Sequence, residues 1–356
     1  MKMMADYQLK EREKAILRFV IHQFILTANP VGSKNISKKY DVGLSPASIR
    51  NIMADLEELG YLEHPHTSAG RTPTDRGYRV YVDSLMDPPL LDKNAKMLIE
   101  RNLTSGSNEM EQLLKITTSI LSDLTNQLAM VTYPKLEQAT LEKIQIVRLS
   151  STRILVVVTV NSGLIRTITL ELDTEMEETH LSSVQHFLNE RLSGLKFSEI
   201  RKTFEERTKD FYKENFRPII RVFLDSVDKI FTDAANEKTI ISGTKNILKH
   251  PEFEDIEQFQ SVIELIENKD IIIHILDKDE EVLESEKQGD DVTITIGGEN
   301  RNEKLSDYSM ISKEYKIGDL KGTLGIMGPK RMNYSKIVAA VVYIAEQLTH
   351  ELTKQR

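Results

Sequence analysis

Apolar residues recur at helical spacing through residues 9–59 of the chain. A first helix is predicted to bury a stripe of Ile16, Leu17, Val20 and Phe24, and the sequence NPVGS ends it. Ser33 is the predicted cap of a short second helix. A third helix is predicted to follow the N-cap Ser45, with Pro46 at its first position and a buried stripe of Ile49, Ile52, Met53, Leu56 and Leu59.

The sequence after these helices predicts a β-hairpin, in which YLEH pairs with RTPT around the tip PHTSAG. Three helices followed by a hairpin form the arrangement of a winged helix-turn-helix. In such a unit the amino-terminal half of the third helix enters the major groove of DNA. There arginine can bond guanine, asparagine can bond adenine, and alanine can touch a thymine methyl group. The predicted DNA-binding residues of this helix are therefore Ser45, Ala47, Ser48, Arg50 and Asn51.

The hairpin and the helix after it supply further candidates for DNA contact. Arg71, Arg76 and Arg79 are predicted to neutralise phosphates, and Thr72 and His66 are assigned to the same surface. The two histidines of HPH have no third ligand nearby, so no metal site is predicted. The alternative for the whole unit is a protein-interaction module whose polar residues face solvent.

A Pro-Pro break near residue 87 ends this first domain, and the pattern behind it mixes helices and strands. The apolar-striped helix at residues 107–130 either forms a dimer contact or packs on the sheet of its own domain. The runs KIQIVRL, RILVVVTV and LIRTITLEL predict an antiparallel meander. A mainly helical interval follows at about 197–265, then strands after Asp270, after Asp291 and at GTLGIMG, and a closing helix from Tyr334 to Leu352. The fold class is therefore a multidomain α+β protein.

Charge is unevenly distributed over the 356 residues, whose net charge is −8. Residues 1–86 carry a net charge of +2 and the remaining residues a net charge of −10, so the basic excess coincides with the predicted DNA-binding unit. The chain has no cysteine, which excludes disulfides and thiolate sites. No apolar run approaches the length of a membrane span, and no secretory signal is evident, so we expect a cytoplasmic protein without a membrane partner.

Two glycine-rich motifs are candidates for catalysis or ligand binding. GTLGIMGPKR lacks the Gly-Lys-Ser/Thr ending of a phosphate-binding loop, and a strand with a tight turn explains it more simply. IGGEN places Glu299 after a glycine pair, without a histidine or second carboxylate as a partner, which favours a structural turn or an interdomain contact over catalysis. We therefore expect no enzymatic activity and no cofactor.

The stretch LSPASIRNIMADLEELGYLEHPHTSAGRTPTDRGYRVYVDSL resembles the amino-terminal signature of the heat-inducible transcription repressor HrcA family. The resemblance continues through GTKNILKHPEF, IGGEN and GTLGIMGPKRMNY, in the order of the family. It implies a winged-helix DNA-binding domain (1–87), a GAF-like α/β domain (88–200 and 266–356) and an inserted dimerising segment (201–265).

The same resemblance implies a homodimeric repressor of chaperone operons. Such a repressor binds double-stranded DNA at an inverted-repeat operator, the CIRCE element, and is modulated by the GroE chaperonin. One alternative is a regulator that senses a small molecule through its GAF-like domain, which would require an open, polar-lined pocket. Another is a repressor that also ligates a cofactor, but the glycine-arginine-rich loop of such ligases is not found in the sequence.

Overall fold

The computed structural model describes residues 8–65, 70–104, 109–175, 177–211, 217–232, 239–253, 260, 263–264, 266–267, 287–288 and 292–354. The chain divides into two compact units. The first comprises Met1–Met130, Ile240–Lys313 and Leu324–Ala345, and the second comprises Val131–Thr239, Glu314–Thr323 and Glu346–Arg356. The elements are mixed helix and strand in several sheets, as the α+β prediction requires.

The first unit begins with a small helical region, residues 8–86, which we call the head. Its helices are α1 (Glu11–Thr27), α2 (Ser33–Lys39) and α3 (Pro46–Glu58), followed after the strands by α4 (Asp75–Val80), which continues into a π-helical turn at Tyr81–Leu85. Their shared core contains Ile16, Leu17, Val20, Ile36, Ile49, Met53 and Leu56. The predicted cap of α2 was wrong, because Gly32 occupies the N-cap position and Ser33 is the first helical residue.

Helix α3 has the limits that the sequence predicts. The side chain of Ser45 accepts a hydrogen bond from the backbone N–H of Ser48 at 3.1 Å, and Pro46 occupies the first turn, where it removes no helical hydrogen bond. The helix ends at Glu58, and Gly60 just beyond its cap has a φ of +76°, with Tyr61 N–H bonded to the carbonyl of Leu56 at 2.9 Å. Both ends of α3 are therefore specified locally.

The predicted hairpin is present as strands β1 (Leu62–Glu63) and β2 (Thr72–Pro73), which pair antiparallel with Leu62 opposite Pro73. A bridge that the sequence did not predict extends this pair, because Val31 and Arg71 exchange backbone hydrogen bonds of 2.8 and 2.9 Å. The hairpin is thus fixed to the segment that joins α1 and α2.

The largest sheet has six strands, in the order β7-β3-β11-β10-β9-β8. These strands are β3 (Leu128–Thr132), β7 (Thr239–Ser242), β8 (Lys287–Gln288), β9 (Val292–Ile296), β10 (Tyr308–Ile317) and β11 (Leu320–Pro329). Helices α5 (Lys93–Thr104) and α6 (Met110–Thr125) precede the sheet, α11 (Thr244–Ile247) follows β7, and α12 (Tyr334–Lys354) closes the chain.

Helix α6 buries part of its apolar stripe within its own unit. Leu113, Leu114 and Leu121 of this stripe are buried, and Ser122 donates to the carbonyl of Gln127 at 2.7 Å. Of the two predicted roles for this helix, this burial within the chain favours packing on its own domain over a dimer contact.

The second unit contains a three-stranded antiparallel sheet, ordered β4-β5-β6. Its strands are β4 (Leu141–Arg148), β5 (Arg153–Val160) and β6 (Ile165–Glu171), and helices α7 (Glu178–Leu192), α8 (Phe197–Thr208), α9 (Arg217–Asp225) and α10 (Val227–Phe231) follow. One face of the sheet is buried, with side chains such as Ile144, Val156 and Ile168 at 0–6% exposure.

The outer edge of β4 is covered along most of its length. Asn189 and Gln185 of α7 accept hydrogen bonds from the backbone N–H groups of Ile144 and Ile146, each at 2.8 Å. Asn189 also donates to the carbonyl of Ile144 at 2.8 Å, and Leu141 exchanges backbone bonds with residues 194–195. Side chains of a helix thus occupy the backbone groups that another strand would use.

The meander was predicted to lie in one domain with the later strands, and those domain limits stay a prediction. In the structure it forms a sheet of its own, because its strands pair with one another and α7 closes the β4 edge. Periodicity identifies a strand but not its partner. The predicted strand after Asp270 lies outside the described residues, as do parts of the predicted inserted segment (201–265).

Candidate nucleic-acid interface

The amino-terminal half of α3 presents an exposed, mainly polar surface over a buried core. Ile49 and Met53 point inwards at 0% and 4% exposure. All five DNA-binding residues predicted on this helix are exposed, namely Ser45, Ala47, Ser48, Arg50 and Asn51. The sequence therefore placed these side chains on one accessible helical face.

Arg50 and Asn51 keep their hydrogen-bonding groups available. Within the part of the chain that the structure describes, neither side chain has a hydrogen bond or an ion pair. Ser45 and Ser48 are partly used, since their hydroxyl oxygens lie 3.0 Å apart and Ser45 caps the helix. The free donors and acceptors at the start of α3 are thus those of Arg50 and Asn51.

The predicted wing residues are more constrained. Arg71 forms an ion pair with Glu57 of α3, with Nε and Oε2 2.7 Å apart, and both side chains are half-buried. Thr72 is half-buried in β2 opposite Glu63. His66 lies outside the described residues.

Arg76 reaches back to the end of α3. Its Nη1 donates to the carbonyl of Leu59 at 2.9 Å, and its Nη2 donates to the hydroxyl of Tyr61 at 3.3 Å. The guanidinium carbon also lies 4.5 Å from the centre of the Tyr61 ring. A cation at the carboxyl end of a helix is favoured by the helix dipole, so Arg76 stabilises the junction between α3 and β1.

Arg79 is directed at acceptors of its own chain. Its Nε donates to Glu299 Oε1 at 2.9 Å, its Nη2 donates to Glu299 Oε2 and to the carbonyl of Ile294, and its Nη1 donates to Asp83 at 3.2 Å. Burial disfavours the charged form of Arg79, but the hydrogen bond and charge of Glu299 outweigh it and raise the pKa of the guanidinium. The phosphate contacts of Arg71, Arg76 and Arg79 stay predictions.

Two lysines that the sequence did not single out join the candidate surface. Lys34 and Lys38 are exposed on α2, and their side chains have no ion pair or hydrogen bond among the residues described. The helix before the recognition helix crosses the phosphate backbone in helix-turn-helix proteins. Both lysines lie on α2, the helix directly before α3, and that position in the sequence could have identified them.

A groove of about 700 Å³ runs beside the segment that leaves the head. Its walls are mainly apolar and come from residues 82–91, β9 and α12. Its charged side chains are already engaged: Asp87 pairs with Arg18, Asp83 pairs with Arg79, and Lys96 lies 5.1 Å from the centre of the Tyr343 ring. The groove therefore gives the small-molecule hypothesis no converging set of free polar groups.

Among the described residues, two other kinds of site are absent. None of the helices is both long enough and apolar enough to cross a bilayer. The described histidine, aspartate and glutamate side chains form no cluster of three that could hold a metal ion.

Comparison with known proteins identifies the family. The family model for the HrcA protein C terminal domain matches residues 111–338. The heat-inducible transcription repressor HrcA of Chlorobium phaeobacteroides (strain BS1) is 38% identical over 354 residues, which cover 98% of this chain and 100% of that relative. The protein of the same name from Chlorobaculum tepidum is 38% identical over 347 residues, covering 96% of this chain and 97% of the relative.

A solved structure supports the fold alone. The crystal structure of a hypothetical protein at 2.2 Å resolution aligns with a TM-score of 0.58 and 20% sequence identity, and the alignment covers 98% of this chain and 100% of that one. The sequence relatives, together with a family model that matches well over half of the chain, settle its membership: the chain belongs to the heat-inducible transcription repressor HrcA family.

Proposed function

We propose that this protein is a transcription repressor that binds an inverted-repeat operator in double-stranded DNA as a homodimer. The observation that carries the proposal is the exposed start of α3, where Arg50 and Asn51 hold free donors and acceptors on a rigid, capped helix. The head is interpreted as a winged helix-turn-helix, and the large sheet with its helices as the GAF-like domain. The family membership supports a role in heat-inducible repression.

The chemistry of α3 suits base reading. Arg50 can donate two hydrogen bonds to guanine, Asn51 can pair with adenine, and Ala47 can contact a thymine methyl group. The start of the helix and Lys34 on α2 suit phosphates, because backbone N–H groups and positive charge attract anions. The net negative charge of the rest of the chain does not prevent DNA binding at α3, because salt screens exposed charges from one another over short distances.

Arg50→Ala tests the assignment of base reading. We expect the variant to lose about 1–3 kcal/mol of operator affinity and to become less selective at one base position, while its affinity for unrelated DNA changes less. Fluorescence anisotropy on the inverted repeat and on a scrambled duplex, at two salt concentrations, measures both. Arg12→Ala is the matched control, because Arg12 is an exposed arginine at the start of α1. Equal loss on both duplexes would contradict base reading by Arg50, and wild-type protein that does not prefer the repeat would contradict the proposed function.

The small sheet is the surface proposed for dimerisation. Its face opposite the core carries Val147 on β4 and Ile165 on β6, with Leu149 just beyond β4, and these apolar side chains are 46%, 66% and 52% exposed. The strand register places Val147 beside Leu155 of β5 on that same face, which Val157 continues. Exposed apolar side chains on a sheet whose other face is buried support association with a second copy. This location differs from the predicted segment 201–265.

A two-fold dimer gives the operator its symmetry. Each head would read one half-site, so the two half-sites must be related as an inverted repeat. The CIRCE element that the family resemblance implies has that symmetry.

The role of the GroE chaperonin rests on the family resemblance alone. If GroE maintains the active dimer, unfolded proteins in heat-stressed cells would compete for it and repression would fall. The test is recovery of operator binding after the protein is heated, with and without GroE and ATP. Full recovery without GroE, and no effect of GroE on the active fraction, would contradict this titration mechanism.

A further inference from the structure

Two motifs that the sequence analysis left without a function, IGGEN and GPKR, come together in the first unit. IGGEN ends β9 and forms the turn Gly297–Asn300, and GPKR (328–331) spans the end of β11 and the two residues after it. Both meet helix α4 of the head. We call residues 294–300 and 328–331 the socket.

The first contact is the bidentate pairing of the Arg79 guanidinium with the Glu299 carboxylate. Both carboxylate oxygens of Glu299 accept from Arg79, and Glu299 Oε2 also accepts from the backbone N–H of Ile296 at 2.8 Å. The carbonyl of Ile294 receives a further bond from the same guanidinium at 2.7 Å. Such a two-pronged, partly buried pair fixes direction as well as distance, which a single exposed pair does not.

The second contact is Asp75 at the start of α4. Its Oδ2 accepts from the backbone N–H of Gly298 at 3.0 Å, and its Oδ1 lies 2.8 Å from Lys330 Nζ. Gly297 makes this approach possible, because a Cβ added there would collide with the Asp75 carboxylate. Its φ of +55° is also a conformation that favours glycine.

The third contact reaches a second helix of the head, α1. Arg331 Nη1 donates to the carbonyl of Ile25 near the end of α1 at 2.7 Å, while Arg331 also pairs with Glu252. Between the polar contacts the buried rings of Tyr78 and Tyr334 lie with their centres 6.0 Å apart. Two separate helices of the head are therefore anchored, which opposes rotation about either one.

We propose that the socket fixes the orientation of the head and thereby selects the spacing between the two operator half-sites. In this role Arg79 and Glu299 are positioning residues and contact no DNA. The inference rests on the proposed dimeric operator binding. A dimer whose heads have a fixed orientation matches one spacing between the half-sites. Heads with a variable orientation can match several spacings, but each binding event then costs the entropy of ordering them.

Glu299→Gln is the principal test, because glutamine can still accept from Ile296 but loses the charge and the second prong. Lys115→Gln is the control, since it removes an exposed ion pair with Glu111 within α6. Operators are compared at their native spacing and with half a helical turn, about 5 base pairs, inserted between the half-sites. In wild-type protein and the control we expect the insertion to weaken binding by tenfold or more. In Glu299→Gln we expect weaker binding at native spacing and a penalty for the insertion that is at least about threefold smaller.

A readout without DNA separates failure of this inference from failure of the proposed function. Amide hydrogen exchange of the full chain should become faster at α4 and at residues 297–300 in Glu299→Gln and in Gly297→Ala. Gly194→Ala is the control for backbone strain, since Gly194 has a φ of +83° but open space around it. Unchanged exchange in both variants, or an equal spacing penalty in wild type and Glu299→Gln, overturns the inference. Wild-type protein with no operator preference contradicts the proposed function, and the exchange result then still decides whether the socket holds the head.

Discussion

Single residues of the head that look equivalent in the sequence have different environments. Arg50, Arg71, Arg76 and Arg79 all lie in the stretch that resembles the amino-terminal signature of the family. Arg50 extends into solvent, whereas the other three reach a carboxylate or a carbonyl of the chain itself. An arginine is therefore assigned to DNA more safely by its lack of partners than by its position in a motif.

Tyr78 and Tyr334 allow a matched test of hydrogen bonding at this scale. Both are buried, but among the described residues the hydroxyl of Tyr78 has no hydrogen-bond partner, while that of Tyr334 donates to the carbonyl of Lys330 at 2.7 Å and lies 2.8 Å from Ser309 Oγ. Tyr78→Phe should lower the free energy of unfolding by less than about 0.5 kcal/mol, or should raise it. Tyr334→Phe should lower it by about 1–2 kcal/mol. Urea denaturation of both variants measures the difference, and an equal loss would contradict the assigned environments.

At the scale of elements, α3 and the hairpin depend on one another through Arg76. Removing this side chain deletes the bond to Leu59 and the contact with the Tyr61 ring. Arg76→Ala should therefore destabilise the protein by about 1 kcal/mol, whether or not Arg76 also meets a phosphate.

Arg76→Lys separates the structural role from the phosphate role. Lysine keeps the positive charge but lacks the planar guanidinium whose two terminal nitrogens reach Leu59 and Tyr61. If Arg76 contacts a phosphate, the Ala variant should bind all DNA sequences more weakly and reduce the slope of log affinity against log salt by about 1, and the Lys variant should keep the slope. Equal slopes in all three proteins would leave Arg76 with its structural role alone.

The elements themselves were largely predictable, because their determinants are local. Ser45, Pro46 and Gly60 specify α3, and β-branched runs with short turns specify the meander at 141–171. The partners of Arg79 and Asp75 were not predictable, since Glu299 and Gly298 are more than 200 residues away in the chain. Periodicity gives the face on which a side chain lies, but not which distant loop meets that face.

At the scale of the whole molecule, the exposed face of the small sheet should control the oligomeric state. Ile165→Asp is expected to weaken the proposed dimer by about tenfold or more, because a carboxylate would be buried in an apolar contact. Leu90→Asp is the matched control, since Leu90 is 80% exposed in the segment after the head. Sedimentation equilibrium of the two variants measures the change. A dimer that withstands Ile165→Asp as well as it does Leu90→Asp would place the interface elsewhere.

Buried tyrosines should limit the stability of the chain at alkaline pH. Burial raises the pKa of Tyr78 and of Tyr315, whose hydroxyl donates to the carbonyl of Thr132 at 2.7 Å. Unfolded tyrosine loses its proton near pH 10, so the folded protein is stabilised fully below that pH and progressively less above it. The free energy of unfolding should fall by up to about 1.4 kcal/mol per pH unit for each such tyrosine. Tyr315→Phe should reduce this slope in urea unfolding above pH 10, and an unchanged slope would contradict the effect.

The covered edge of β4 has a consequence for the heated protein. A strand edge with free backbone groups can pair with the same strand of another molecule and start an aggregate. Asn189 and Gln185 occupy those groups on β4. Copies of the small sheet can then meet through its open face but not through this edge. A heated chain in which α7 keeps its place would therefore be protected from growing into a continuous intermolecular sheet at this strand.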